Sequence, residues 1–103
     1  MNINELHKRI GAGDPEAEER LFESLSARFR MFARQRVKDK EDAEEIVQDA
    51  LTTIVQKYRG IEFETSFAAW AHKVLEYKIL DHFRARGRQA DRRAELTLSL
   101  IHI

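Results

Sequence analysis

The sequence contains no cysteine, and only one proline and four glycines among its 103 residues. Without cysteine it can form neither a disulfide framework nor a thiolate metal site, which fits a reducing, cytoplasmic setting. The N-terminus, MNINELHKRI, lacks the apolar core of a signal peptide. No apolar run approaches the length that spans a bilayer, so we expect no membrane insertion. Since the chain is 43% hydrophobic, what remains is one small domain with a single core.

Apolar residues recur at helical spacing and strand-like alternation is missing, which predicts an all-α fold. A short first helix is predicted from about residue 3 to residue 10, before a Gly-Ala-Gly segment. Asp14 followed by Pro15 is typical of an N-cap and a first helical position, and predicts the start of the second helix. The apolar stripe of the second helix contains Leu21, Phe22, Leu25, Phe29, Phe32 and Ala33.

The third helix has the most regular apolar stripe. Asp39 is a predicted cap, the helix is expected to run to about Tyr58, and Gly60 ends it. The stripe contains Ala43, Ile46, Val47, Ala50, Leu51, Ile54 and Tyr58.

The fourth helix is predicted to begin after Thr65 or Ser66 and to fray or end at Gly87. Its apolar residues change side along its length. One set, Phe67, Ala71, Val74 and Leu75, lies on one side, and a second set, Ile79, Leu80 and Phe83, lies nearer the opposite side at 100° per residue. Either the two halves pack against different neighbours, or one of the two faces is a binding surface. Trp70 lies on the first side, where packing is its expected role.

Formal net charge is zero, from 18 basic and 18 acidic residues, but the charges are segregated. Residues 39–49 contain six acidic side chains and one lysine, and residues 82–93 contain five arginines and one aspartate. This arrangement indicates two partners, or one partner with two faces, rather than a protein that coats nucleic acid by bulk charge.

The residues do not indicate an enzyme. There is no glycine-rich phosphate loop, no metal-ligand spacing and no nucleophile motif. We therefore expect no cofactor and no metal site.

Two surface patterns have alternative interpretations. Glu45, Gln48 and Asp49 form a polar patch opposite the apolar stripe of the third helix, which is either a solvated acidic face or a docking surface. The cationic side chains of the fourth helix either bind phosphates or complement the helix dipole. Aromatic side chains near them could stack on exposed bases. The cations are Lys73, Lys78, Arg84, Arg86 and Arg88, and the aromatic candidates are Phe63, His72 and Tyr77.

Two segments, residues 42–58 and residues 63–88, resemble region 2 of bacterial sigma-70 factors, especially the extracytoplasmic-function (ECF) group. DAEEIVQD, residues 42–49, is similar to the family pattern D-A-E-D-L-V-Q-E. SFAAW, residues 66–70, and LDHFR, residues 80–84, are similar to S-F-x-x-W and L-D-H-x-R. The resemblance covers about residues 15–93 and implies a compact bundle of three main helices plus a short N-terminal helix.

The resemblance also implies partners. In the family the acidic helix docks on the clamp coiled coil of RNA polymerase, a role that falls here on Glu45, Gln48 and Asp49. The following loop and helix hold the non-template strand of the −10 element. Some members of the family bind an anti-sigma factor, so the resemblance adds it as a possible partner, although no residue pattern here indicates one. The implied DNA-binding residues are Phe63, Thr65, Lys73, Tyr77, Lys78, Arg84, Arg86 and Arg88.

The sequence departs from the family at positions that matter for DNA. Glu76-Tyr77 replaces a common Arg-Asn pair, and the loop before the fourth helix is acidic, so base preference does not transfer. We expect residues 1–93 to form the domain and residues 94–103 to be the start of a linker plus a non-native tail. The last six residues, LSLIHI, equal the translation of a transposase library adapter, and a native amphipathic tail is the alternative. We expect the sequence to be truncated before the second, promoter-reading domain that the family carries. A helical protein-interaction module without a nucleic-acid role is the alternative function.

Overall fold

The computed structural model describes the backbone of residues 2–63 and 66–101 and the side chains of residues 2–63 and 66–87. The described backbone contains four α-helices: α1 (Ile3–Gly11), α2 (Ala17–Arg36), α3 (Lys40–Lys57) and α4 (Phe67–Ile101). A 3₁₀ turn, Tyr58–Gly60, follows α3. No strand occurs in the described residues, so the predicted all-α bundle with a short N-terminal helix is confirmed.

Local capping explains where three of these helices begin. The Asn2 Oδ1 atom accepts the N–H of Glu5 at 2.8 Å, and the Asp39 Oδ1 atom accepts the N–H of Asp42 at 3.0 Å. The Ser66 Oγ atom accepts the N–H of Ala69 at 3.1 Å. Each satisfies an N–H group that has no partner within its own helix. The predicted caps of the third and fourth helices are therefore confirmed at Asp39 and Ser66, and Thr65 lies outside the described residues.

The start of α2 is later than the sequence pattern predicts. The Asp14 Oδ1 atom accepts the N–H of Glu16 at 3.0 Å, and residues 15–16 form a turn before the helix begins at Ala17. Gly13 precedes this turn with φ of 88°, a left-handed conformation that glycine adopts without steric cost. Asp14 therefore closes a turn, and Pro15 lies within it instead of at the first helical position.

One hydrophobic core joins the four helices. α2 packs against α1 and α3, and α4 packs against α3 and α1. The predicted stripe of α3 is buried except for half-buried Leu51, and that of α2 is buried except for half-buried Phe22 and Phe32. Because both stripes face the same centre, the charged side chains of these helices lie on the outside.

The α4 core contacts run diagonally around the helix. Phe67, Ala71, Leu75 and Ile79 are buried at intervals of four residues, so each contact is rotated about 40° from the last. The predicted movement of the buried face is confirmed. However, Ile79 belongs to the core, whereas Leu80 and Phe83 are exposed, so the second apolar set is divided between two environments. The two halves of α4 have different neighbours: Phe67 stacks on His7 of α1, and Lys78 pairs with Asp49 of α3. The interpretation of the exposed residues as a binding surface stays a prediction.

Gly87 does not end α4, contrary to the prediction. The helix continues through it to Ile101, and Gly87 does not adopt the positive φ that a glycine helix terminus uses. One exposed glycine costs a helix only about 1 kcal/mol relative to alanine, which is too little to stop it. Among the described residues, no helix has both the length and the hydropathy needed to cross a membrane.

Candidate binding surfaces on α3 and α4

The α3 face, defined as Glu45, Gln48 and Asp49, is exposed on the side of α3 that points away from the core. Behind it, Ile46, Val47 and Ala50 are buried. The predicted polar patch is therefore present as one continuous surface on a helix that is anchored along its other side. Such a surface offers carboxylate and amide groups to a partner in a fixed arrangement.

A hydrogen-bonded network supports the α3 face from α2. Arg30 donates to both carboxylate oxygens of Glu44, from Nε at 2.9 Å and from Nη2 at 2.8 Å. Gln48 Nε2 donates to Glu44 Oε1 at 3.0 Å. These hydrogen bonds, the Arg30 one first, lower the pKa of Glu44 to about 2, and the bond to Glu44 raises the pKa of Arg30. Glu44 therefore stays ionised and fixes the position of Gln48.

Two predicted DNA-binding cations point toward α3 and pair with its carboxylates. Lys78 Nζ lies 3.3 Å from Asp49 Oδ2, and Arg86 Nη2 lies 2.6 Å from Asp42 Oδ2. His82 Nε2 is 3.6 Å from the same Asp42 oxygen. Asp49, predicted to bind protein, and Lys78, predicted to bind DNA, are therefore neighbours, and the two candidate surfaces meet at this seam.

The outer face of α4, defined as Lys73, Tyr77, Leu80, Phe83 and Arg84, points away from α3. All five side chains are exposed, Tyr77 by 66%, Leu80 by 43% and Phe83 by 47%. Within residues 2–63 and 66–87, no carboxylate forms an ion pair with Lys73 or Arg84. Exposed aromatic and apolar groups beside free cations are the components of a single-strand binding surface.

Phe63, the predicted stacking residue of the loop, lies in an aromatic cluster at the start of α4. Its ring centroid is 5.2 Å from His7, 5.3 Å from Trp70 and 5.6 Å from Phe67, and the side chain is half-buried. Burial in this cluster lowers the pKa of His7. The packing role predicted for Trp70 is confirmed. Thr65 and the Arg88 side chain lie outside the described residues.

The third aromatic candidate, His72, is also half-buried. Its ring meets Phe32 edge-on with centroids 4.5 Å apart, and its Nε2 atom lies 3.0 Å from Glu76 Oε1. Sequence reasoning treated Glu76 only as a departure from the family, yet it lines a groove with Lys73, Tyr77 and Leu80. Their spacing of i, i+3, i+4 and i+7 was a signal that could have grouped them.

The sequence profile of Sigma-70 region 2 matches residues 21–89, which is more than half of the chain. The chain belongs to the sigma-70 region 2 family. Both the α3 face and the α4 surfaces up to Gly87 lie within the matched segment of this sigma-70 region 2 domain. α1 precedes that segment and packs against α2 and α4.

Comparison with curated proteins supports the ECF group. The domain is 35% identical over 75 residues to a protein named ECF RNA polymerase sigma factor SigF, from Caulobacter vibrioides strain NA1000 / CB15N. That alignment covers 72% of this chain and 42% of the relative, so the chain matches less than half of the relative's length. No solved structure gives a significant match to the chain.

Proposed function

We propose that this domain provides promoter recognition and strand opening to RNA polymerase during transcription initiation. In this role it has no catalytic activity of its own. The α3 face docks on the clamp coiled coil of the polymerase, and α4 with its preceding loop holds the non-template strand of the −10 element. Family membership supports the general role. The contrast between an acidic face on α3 and exposed cations and aromatic rings on α4 supports the division between protein and DNA partners.

The α3 face carries the docking half of the proposal. It is acidic and exposed, and two of its three side chains are held by neighbours: Gln48 by the Arg30–Glu44 pair, and Asp49 by Lys78. A surface that is already ordered loses little conformational entropy when a folded partner binds. Glu45 and Asp49 provide carboxylates for basic side chains of the coiled coil, and Gln48 provides an amide between them.

The outer face of α4 carries the DNA-binding half. Lys73 and Arg84 have no carboxylate partners among the described side chains, so they can meet phosphates directly. Tyr77 presents an exposed ring on which an unstacked base can pack. Lys78 and Arg86 face Asp49 and Asp42, so they contact DNA less directly and instead shape the seam beside the docking surface.

The experiment that tests the proposal is a titration of the domain with the isolated clamp coiled coil. A variant with Gln48→Ala and Asp49→Ala should bind about tenfold or more weakly, since two central contacts are lost. The matched control, Glu23→Ala with Gln35→Ala, likewise removes one carboxylate and one amide, from exposed residues of α2, and should bind like the parent.

Circular dichroism of all three proteins establishes that each is folded. If the folded parent does not bind the coiled coil, the docking role is wrong and the domain is a helical interaction module for another partner. If the two double variants weaken binding equally, the contact depends on net charge and not on the α3 face.

A further inference from the structure

A groove on the outer face of α4 combines a cationic, a carboxylate and two largely apolar side chains. It is lined by Lys73, Glu76, Tyr77 and Leu80, which follow one another along a single side of the helix. Its volume is about 290 Å³, at the small end of the roughly 300–1,000 Å³ range of ligand pockets. The groove is open to solvent and all four lining residues belong to one helix, so a bound group would reach it from outside and lie along α4.

The apolar part of the groove is suited to a planar ring. Tyr77 and Leu80 are both well exposed although they are large apolar residues. When an unstacked base packs on Tyr77, apolar surface of both the base and the ring is removed from water. Because every base has such a surface, stacking on Tyr77 is favourable for any base. Stacking alone therefore gives affinity without sequence preference.

Lys73 supplies the contact for the nucleotide backbone. It is exposed, and no carboxylate of the described residues pairs with it. Its position one helical turn from Tyr77 places a cation beside the ring on which the base would lie. A phosphate bound by Lys73 would keep the attached base within reach of the groove.

Glu76 supplies the selective contact. One carboxylate oxygen, Oε1, lies 3.0 Å from His72 Nε2, and His72 is itself packed against Phe32. This support limits the positions of the Glu76 side chain. An ionised carboxylate only accepts hydrogen bonds and has about four lone-pair sites, so acceptor capacity remains at both oxygens.

Unstacked bases are recognised on their Watson–Crick edges. Guanine presents two adjacent donors there, N1–H and the N2 amino group, which match the two oxygens of one carboxylate. Its one acceptor, O6, lies at the end of this edge, beyond N1–H and away from the amino group. Cytosine and adenine present a donor beside an acceptor, and thymine presents one donor between two acceptors. Each acceptor would face the negative charge of Glu76, so guanine is the best matched base.

We propose that this groove binds one unstacked guanine of the DNA strand, with Tyr77 stacking on the base, Glu76 accepting from its Watson–Crick edge and Lys73 contacting phosphate. The inference rests on the single-strand role proposed above and adds a base preference to it.

The test uses the domain bound to core RNA polymerase and four labelled oligo-dT strands that differ only in the central base, which is G, A, C or T. Fluorescence anisotropy measures each affinity, and polymerase without the domain gives the background. The parent should bind the G strand about fivefold or more tightly than the T strand, a ratio typical of a bidentate contact to a base edge.

The variants separate selectivity from affinity. Glu76→Gln should remove the G preference while binding to the T strand persists, and Tyr77→Ala should weaken all four strands together. Glu23→Gln, which removes a charge from an exposed site on α2, should leave the preference intact.

The possible failures are distinguishable. Equal binding of all four strands by the parent would overturn the guanine site and leave the single-strand role standing. A G preference that survives Glu76→Gln would also overturn the assignment. If the domain adds no binding to polymerase for any strand, the single-strand role fails and the guanine site fails with it.

Discussion

The α3 face and the outer face of α4 are both exposed, but their charged groups are held differently. On and beside the α3 face, Gln48 bonds to Glu44, and Asp49 pairs with Lys78. On the outer face of α4, Lys73 and Arg84 form no ion pair with the described side chains. Two of the three side chains of the α3 face are thus held by neighbouring residues, whereas the outer face of α4 leaves its cations available.

This difference suits the two kinds of partner that we propose. A folded helix pair has a fixed shape, so a preorganised surface can match it without further ordering. A single strand is flexible and is bound mainly through phosphates and base stacking, which need accessible cations and aromatic rings. One core positions both surfaces. α3 and α4 each bury the side that lies opposite the exposed surface, and the two helices pack against each other.

The largest effect should come from the shared core. Leu75 is fully buried in the middle of the α4 stripe, and Leu75→Ala should lower the free energy of unfolding by about 2–5 kcal/mol because it leaves a cavity. Under conditions in which a fraction of the variant is unfolded, binding through both surfaces should weaken together. Urea denaturation measures the loss.

Leu80→Ala is the matched control, since Leu80 lies on the same helix but is 43% exposed. It should change stability by less than about 0.5 kcal/mol. Similar losses for the two variants would contradict the assignment of these leucines to the core and to the outer surface.

An intermediate effect should separate the free lysine from the paired one. With the domain bound to core polymerase, Lys73→Ala should reduce the slope of log affinity against log salt by about 0.7 for a single strand, the change expected for one lost phosphate contact. Lys78→Ala should leave the slope nearly unchanged, because Lys78 lies 3.3 Å from Asp49. Anisotropy titrations at four salt concentrations give both slopes. A larger loss for Lys78→Ala would mean that DNA displaces Asp49 and that the seam belongs to the DNA surface.

The sequence predicted those features that depend on local pattern. The caps at Asp39 and Ser66 and the exposed patch on α3 follow from residues within one or two helical turns of each other. The bond between Arg30 and Glu44 joins residues 14 positions apart on different helices. Its existence depends on how α2 and α3 are rotated and offset, which a residue pattern does not specify. The same holds for the orientation of Lys78 and Arg86 toward α3.

The continuation of α4 past Gly87 was missed for a different reason. A glycine ends a helix when the chain turns into the left-handed region, and composition alone does not tell whether it does so. The exposure of Leu80 and Phe83 likewise depends on the lack of a packing neighbour on that side of α4 within the described residues. Sequence spacing could place them off the first stripe but could not tell an interface from a second core.

The smallest effect should come from the network beneath the α3 face. In the folded chain the pKa of Glu44 is about 2, below its ordinary 4.5, so its ion pair stabilises the fold above about pH 4.5 and loses that contribution as the pH falls toward 2. Because both side chains are about 40% exposed, solvent screening limits the contribution to about 1 kcal/mol or less. Glu44→Gln should therefore be less stable than the parent at pH 6, and the difference should shrink between pH 5 and pH 3.

Glu41→Gln, an exposed change on the same helix, should show no such convergence in urea denaturation at each pH. A Glu44→Gln difference that stays constant with pH would show that the α3 face does not depend on this ion pair, and its contrast with the outer face of α4 would then rest on the Asp49–Lys78 and Asp42–Arg86 pairs alone.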